Sequence, residues 1–573
     1  MPDRGEFSVT RSVLTSPSTL VAITALAAGL LVSVPSGADA GSPLAIRSRG
    51  QVAVPGEPIT VRPTVREVAI PATSPSAKTV TPSLALSRRS DERGTGLLAA
   101  HVRLRDVGDF SMLGVTWAPG AGDDVLASVR TLSAGTWSVW TDLHVDEDEG
   151  PAASEESAAR DGTGVLWVDD ASGVEVAVYT KTGGAPRDLE VSTIDPGTST
   201  YDLTATQTTT TTELAVTGGF PTMPRIITRR EWGADPSLGD PCWAPRYGKT
   251  FKNVFVHHTV TSNDYSEAEA PGIVRGIYAY HTQSQGWCDI GYNFLVDKYG
   301  NVYEGRRGGI RQPVRGAHAG DYNTDSTGIS LMGDFERGYP TRKMKHALVG
   351  LIAWRMGTAY HGAFGKAFIY DRKFKRISGH RDAMSTACPG QHVYDWLPRL
   401  RDRVAERLGT WQSVIERRWR AMGAASGWLG KVRVGERGIT GGHWTAFAGG
   451  RLYASEVGLI ALREGSILRA YNRAGGAAGR LGFPARRIER TRDGSGLVAA
   501  FDHGFAWWSS RTGAKAVSQG PLLRRYRKLG MASGRLGFPT STNFQTRNGG
   551  RLNLEHGYLV FDKITRRVTV TYR

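Results

Sequence analysis

The chain has 573 residues, with 71 Lys and Arg against 54 Asp and Glu and a formal net charge of +17. That length exceeds what one hydrophobic core organises, so several domains are expected. Beyond the N-terminus no run is apolar and long enough to cross a bilayer, which excludes a protein built on several spans. At the start, Arg4 and Arg11 precede an apolar run over 20–34 that ends in Ser36-Gly-Ala-Asp-Ala40, a small-x-small cleavage pattern. About 15 apolar residues fall short of the ~20 a span needs. Residues 1–40 therefore read as a secretory signal peptide, with an uncleaved signal anchor as the alternative and no cysteine nearby for a lipid anchor. Residues 41–94, rich in Pro, Ser and Thr, read as a linker or wall-crossing stretch. Over 95–195, short alternating segments such as 114–117, 136–140, 164–168 and 174–179 are separated by turn residues, which predicts a β-sandwich. Its tryptophans suit core packing, the commoner use, or stacking on sugars. Residues 196–223, with a Thr-rich run at 204–212, read as a second linker.

The segment 224–408 has mixed signals. The apolar run 251–256 predicts a buried strand ending at His257. Residues 291–296 and 302–304 flank Asp297-Lys-Tyr-Gly-Asn301, which reads as a hairpin. A further strand is expected over 327–333 and a weaker one over 375–378. Met344, Leu348, Leu351, Ile352 and Met356 recur at helical spacing. The fold class is thus α/β, a mixed sheet with flanking helices, between a β-sandwich-like domain and a β-rich repeat array. Within it His257, His380 and Cys388 stand at strand ends or in a following loop. Two imidazoles and a thiolate form a zinc set that leaves the fourth tetrahedral position open for water, an arrangement used more for chemistry than for structure. His258, beside His257, reads as a packed or supporting residue.

These residues resemble the type 2 amidase and peptidoglycan recognition protein family. The resemblance runs from about 230 to about 400. It rests on Val256-His257-His258-Thr259, Tyr280-His281, Gln285-Gly286-Trp287, Asp289-Ile-Gly-Tyr-Asn-Phe294, Val302-Tyr-Glu-Gly-Arg306, Gly316-Ala-His318, Asn323, and Gly379-His380-Arg381-Asp382 followed by Cys388-Pro389-Gly390. It implies that His257, His380 and Cys388 bind one Zn2+, with Tyr292 and Thr386 as catalytic residues. It also implies that His281, Arg306, His318 and Asn323 line the ligand groove; read alone, each is also an ordinary surface polar residue. The implied substrate is peptidoglycan, cut between N-acetylmuramic acid and L-alanine. Family members that lose activity usually lose a metal ligand, commonly the cysteine, which this chain keeps. Cys242 and Cys288 fit no metal motif, and in an exported chain a disulfide between them is the simple reading, two buried thiols the other.

The last part, 409–573, repeats itself. Gly427-Trp-Leu-Gly430, Gly479-Arg-Leu-Gly-Phe-Pro484 and Gly534-Arg-Leu-Gly-Phe-Pro539 recur 52 and 55 residues apart, which signals small units sharing a core. They resemble LGFP repeats of actinobacterial cell-wall proteins, although the first copy lacks Phe-Pro. Residues 399–573 hold 32 Lys and Arg against 11 Asp and Glu, a net of +21, so the rest is near −4. A basic array attracts polyanions. In an exported, cell-wall-associated protein these are the anionic polymers of the wall; nucleic acid is a poor second, without a motif. Two functions follow from the resemblance: a zinc-dependent amidase held at the envelope by its repeats, or a non-hydrolytic peptidoglycan-binding module or envelope scaffold.

Overall fold

Ten short strands open the architecture, because alternating residues let each face one sheet inward. They are β1 (Thr64–Ala69), β2 (Leu97–Leu104), β3 (Phe110–Trp117), β4 (Leu126–Ser133), β5 (Thr136–Trp137), β6 (Thr141–Leu143), β7 (Asp161–Gly162), β8 (Leu166–Ala171), β9 (Gly173–Thr180) and β10 (Glu190–Asp195). The computed structural model describes residues 60–73, 97–120, 125–145, 150–151, 159–199, 201–202, 222–239, 244–409 and 412–573. Residues 1–40, read as a signal peptide, and Cys242 lie outside these residues, as does most of each stretch read as linker. One sheet runs β1-β10-β3-β7 with β8 also on β3; the other runs β2-β9-β4-β5 with β6 also on β4. Between them lie Leu113, Val115, Trp117, Val129, Val176, Val178 and Val191, all buried. Trp117 packs between the sheets, and Trp167 is buried in a second cluster with Ile273 and Ile277. Trp137 and Trp140 are instead half-buried beneath the guanidinium groups of Arg103 and Arg130.

Both linker boundaries need correction. Thr64-Val-Arg-Glu-Val-Ala69, inside the stretch read as linker 41–94, pairs antiparallel along β10. Its neighbouring Pro and Ser residues masked its alternation. In the stretch read as linker 196–223, Asp202 is buried and pairs with Arg275 through Nη1 and Nη2 at 2.9 and 2.6 Å. Arg275 also donates to the carbonyls of Pro196, Gly197 and Trp232. Arg275→Ala would leave a buried carboxylate and three carbonyls unmatched. A destabilisation of about 3–5 kcal/mol is expected, checked by urea unfolding followed through tryptophan fluorescence.

The middle of the chain forms a five-stranded mixed sheet. Its strands are β11 (Asn253–His258), β12 (Phe294–Val296), β13 (Val302–Glu304), β14 (Ser326–Leu331) and β17 (Ile377–Gly379), ordered β13-β12-β14-β11-β17. A separate hairpin, β15 (Lys366–Ile369) and β16 (Arg372–Lys375), precedes β17. β11 lies between β14 and β17 and parallel to both, so all six of its residues are buried. Helices α1 (Ala270–Ala279), α2 (Arg342–Thr358) and α3 (Gln391–Leu408) cover the sheet. Thr341 caps α2 by accepting from the Met344 amide at 3.1 Å. Val254 and Val256 join Ile329, Leu331 and the apolar faces of α2 and α3 in one core. Period-two alternation then turns Phe255 and His257 to the opposite face, and His258 back toward α2 and α3.

Three similar units end the chain. Each has a short helix and a four-stranded antiparallel sheet: α4 (Val414–Ala421) with β18 to β21 (432–463), α5 (Ser466–Arg473) with β22 to β25 (489–518), and α6 (Pro521–Lys528) with β26 to β29 (544–572). The first glycine of each repeated motif has a packing reason. A Cβ at Gly427, Gly479 or Gly534 would sit 2.0, 2.2 or 1.9 Å from the carbonyl oxygen five residues earlier. The second glycine, at 430, 482 or 537, has φ near +70° and its carbonyl accepts from Trp419, Tyr471 or Tyr526. The first copy therefore keeps the local design although it lacks Phe-Pro. Trp444 and Tyr453 of the first unit share a core with Tyr471, Phe483 and Phe501 of the second, as stacked repeats require. Among the described residues no helix is long and apolar enough to cross a membrane.

Candidate metal and hydrolytic centre

Adjacent parallel strands deliver two of the expected ligands. His257 stands at the C-terminal end of β11, and His380 directly follows β17. Crevices beyond the carboxyl ends of parallel strands are where open α/β sheets bind ligands. Cys388 comes from the loop before α3 and is a buried thiol outside any disulfide. The ligand atoms of His257, His380 and Cys388 all lie within 4.8 Å of one another, and none of the three residues is exposed. His257 Nδ1 is 3.7 Å from Cys388 Sγ. With Zn–N near 2.0–2.1 Å and Zn–S near 2.3 Å, a tetrahedral N···S edge is about 3.6 Å. The donor set and this edge both fit zinc.

The surroundings prepare these groups for that task. Burial pushes the His257 pKa down to about 3, which keeps the ring neutral and able to donate a lone pair. His257 Nε2 is 3.1 Å from His318 Nδ1. An imidazole that donates through Nδ1 carries its proton on Nε2, and His318 is placed to accept it. The backbone N–H of His258 points at Cys388 Sγ from 3.4 Å, which favours the thiolate. The His258 ring faces the other way and accepts from the Phe335 amide at 3.2 Å. It is a packed residue, as expected.

The other expected site residues divide. Tyr292 is buried, with its ring 5.5 Å from that of His257 and 5.9 Å from that of His281. Tyr292, His281, Trp287 and Thr259 line one small cavity. The His281 ring lies 4.3 Å from that of Trp287, tilted by 33°, and accepts from the Gly291 amide. Burial, with Arg306 nearby, holds its pKa near 3. Thr386 lies two residues before Cys388, and its hydroxyl accepts from the Cys388 amide at 3.1 Å. Arg306 also lines a second cavity, with Asp289, Arg307 and Arg315. His318 does not reach a groove surface: it is fully buried behind His257, against Gly316 and Gly328, where a Cβ would meet its ring at 2.3 and 2.4 Å. Asn323 accepts from the amides of His318 and Ala319 through Oδ1 and donates to Gly150 O at 3.0 Å. Cys288 is disulfide-bonded; Cys242, the partner expected for it, lies outside the described residues.

Comparison with known proteins adds three family matches. Residues 247–391 match the family described as N-acetylmuramoyl-L-alanine amidase. Residues 63–210 match the Rv3811 N-terminal galactose-binding domain-like family, and 481–534 match the LGFP repeat. Over 170 residues the chain is 31% identical to peptidoglycan-recognition protein SC1a/b of Drosophila simulans, covering 30% of this chain and 82% of that protein. It is 34% identical to peptidoglycan recognition protein 1 of Mus musculus, covering 30% of this chain and 84% of the mouse protein. Among solved structures, wild-type Drosophila PGRP-LB aligns at 29% identity over 30% of this chain and 91% of that one, with a TM-score of 0.25.

Proposed function

Since the chain belongs, through its middle third, to the peptidoglycan recognition protein and N-acetylmuramoyl-L-alanine amidase family, we propose that it is a zinc hydrolase. Its reaction is cleavage of the amide between N-acetylmuramic acid and L-alanine in peptidoglycan, outside the cell membrane. The observation that carries this reading is the buried His257, His380 and Cys388 cluster with Tyr292 beside it. Bound there, zinc supplies a water whose pKa falls from about 15.7 to about 7 and polarises the scissile carbonyl. The protein does the rest. His318 holds the His257 ring in the tautomer that frees Nδ1. The Tyr292 hydroxyl is the donor for the oxyanion that develops on the carbonyl. The Thr386 hydroxyl is a second polar group near Cys388, and carries no charge. His281, Arg306 and Asn323 supply polar contacts for muramyl and peptide groups.

The non-hydrolytic alternative retains the groove and lacks the chemistry. Cys388 and Tyr292 favour hydrolysis, because binding alone requires neither a buried thiol beside two imidazoles nor a tyrosine facing them. The repeats, with most of the +21 charge over 399–573, hold the enzyme to anionic wall polymers, an attraction that weakens as salt shortens the Debye length. The test is digestion of isolated wall fragments with and without a chelator. Release of new L-alanine amino termini should stop when zinc is stripped and return when it is restored. Release that ignores the chelator, or binding with no release in any condition, contradicts the hydrolase reading.

A further inference from the structure

The second and third repeat units meet along a cavity far from the hydrolytic centre in sequence. One wall comes from the second unit: the end of α5, the turn at Arg480, and β25 (Gly513–Ser518). The other wall is Thr540-Ser541-Thr542 of the third unit. Alanines line the rest and leave about 330 Å³, within the range of about 300–1,000 Å³ for small-molecule sites. Asn543 fixes the walls to each other, because its Oδ1 accepts from the Ser518 amide at 3.0 Å. Ser541 Oγ accepts from the Asn553 amide at 3.0 Å, which leaves its own proton to donate.

Arg473, Arg480 and Lys515 line this space and no carboxylate does. Among the described residues none of these three side chains forms an ion pair. Like charges gathered without a counterion destabilise a fold, and the repeated motif does not dictate them. The first unit has Ala421, Trp428 and Ile460 at the matching places. Its helix α4 ends at Ala421 as α5 ends at Arg473, Gly427-Trp428 aligns with Gly479-Arg480, and Ile460 pairs with Tyr453 as Lys515 pairs with Trp507. We propose that this junction is a binding site for a phosphodiester carried between sugar or polyol groups. A phosphate group holds its oxygens at tetrahedral corners, so three cations reach it from different sides, whereas a carboxylate offers two in one plane. Guanidinium forks engage such oxygens in pairs, and an ammonium adds a compact charge. The Thr-Ser-Thr hydroxyls serve the alcohol side of the ester. The proposal rests on the reading of the repeats as the part that holds anionic wall polymers, and names the group they recognise and the place.

The probe is glycerophosphoglycerol, titrated calorimetrically into the zinc-loaded full chain. The parent should saturate. Arg473→Gln with Arg480→Gln and Lys515→Gln should bind at least about tenfold more weakly, the loss expected of even one hydrogen bond to a charged group. Arg492→Gln with Arg524→Gln and Arg547→Gln removes the same charge from exposed positions outside the cavity, and should bind as the parent does. Glucuronate, a sugar with one carboxylate charge, should bind more weakly than the probe. No saturation by the parent, equal losses in the two triple variants, or glucuronate bound as tightly overturns the site. Sedimentation with purified walls and with phosphatidylglycerol vesicles then separates the sources of the ester. Walls should retain the parent and lose the cavity variant; capture by vesicles alone overturns a wall polymer as the source. A parent that binds the probe through the cavity and is retained by neither keeps the site and overturns the wall-holding reading of the repeats.

Discussion

Replacing Cys388 by alanine is expected to abolish both zinc retention and amide cleavage. The remaining imidazoles, His257 and His380, would be two ligands where a catalytic zinc site uses three. Dialysed parent protein should carry one zinc per chain and the variant much less than one, by inductively coupled plasma mass spectrometry. Cleavage should fall by more than about 100-fold, the upper end of what loss of an outer-shell partner costs. His318→Ala gives the graded comparison. It removes the acceptor 3.1 Å from His257 Nε2 and leaves the three ligands in place, so a loss of about 10–100-fold in zinc affinity is expected. A Cys388→Ala chain that keeps its zinc and its turnover would show that the thiol is structural.

Tyr292→Phe should separate chemistry from binding. The hydroxyl is the donor assigned to the developing oxyanion, and losing one such donor costs about 10²–10³ in kcat. Zinc content should stay at one per chain, because Tyr292 is not among the three clustered ligand groups. Muramyl-peptide affinity, read by titration, should change little. A proportional loss of affinity with kcat unchanged would make Tyr292 a substrate contact only. A normal rate would remove it from the chemistry.

The strand ends and the clustering of His257, His380 and Cys388 were legible because a local signal marked each. The apolar run before His257 places it at a buried strand's end, and alternation separates its direction from that of His258. The repeats were legible from spacing, and the glycine clashes with carbonyl oxygens five residues back explain why the motif persists. Long-range packing was not legible. Nothing local marks Thr64–Ala69 as a partner of β10 or Asp202 as the mate of Arg275, since each gains its role from residues 70 or more positions away. His318 reads as a groove residue only through the family resemblance, whose groove positions it matches. Its burial behind His257 depends on glycines at 316 and 328 that only the folded sheet brings together. The reach of Gly150 to Asn323 spans 173 residues, and no periodicity encodes it.

Mass spectrometry of digested peptidoglycan tests the hydrolase most directly. Purified walls are incubated with the zinc-loaded parent chain and, beside it, with the Cys388→Ala variant. The expected products are stem peptides with a free L-alanine amino terminus and glycan strands whose muramic acid keeps its lactyl carboxylate. Cuts confined to glycosidic bonds or to bonds within the stem peptide would contradict the zinc amidase assigned to His257, His380 and Cys388, and so would intact peptidoglycan from the zinc-loaded parent chain.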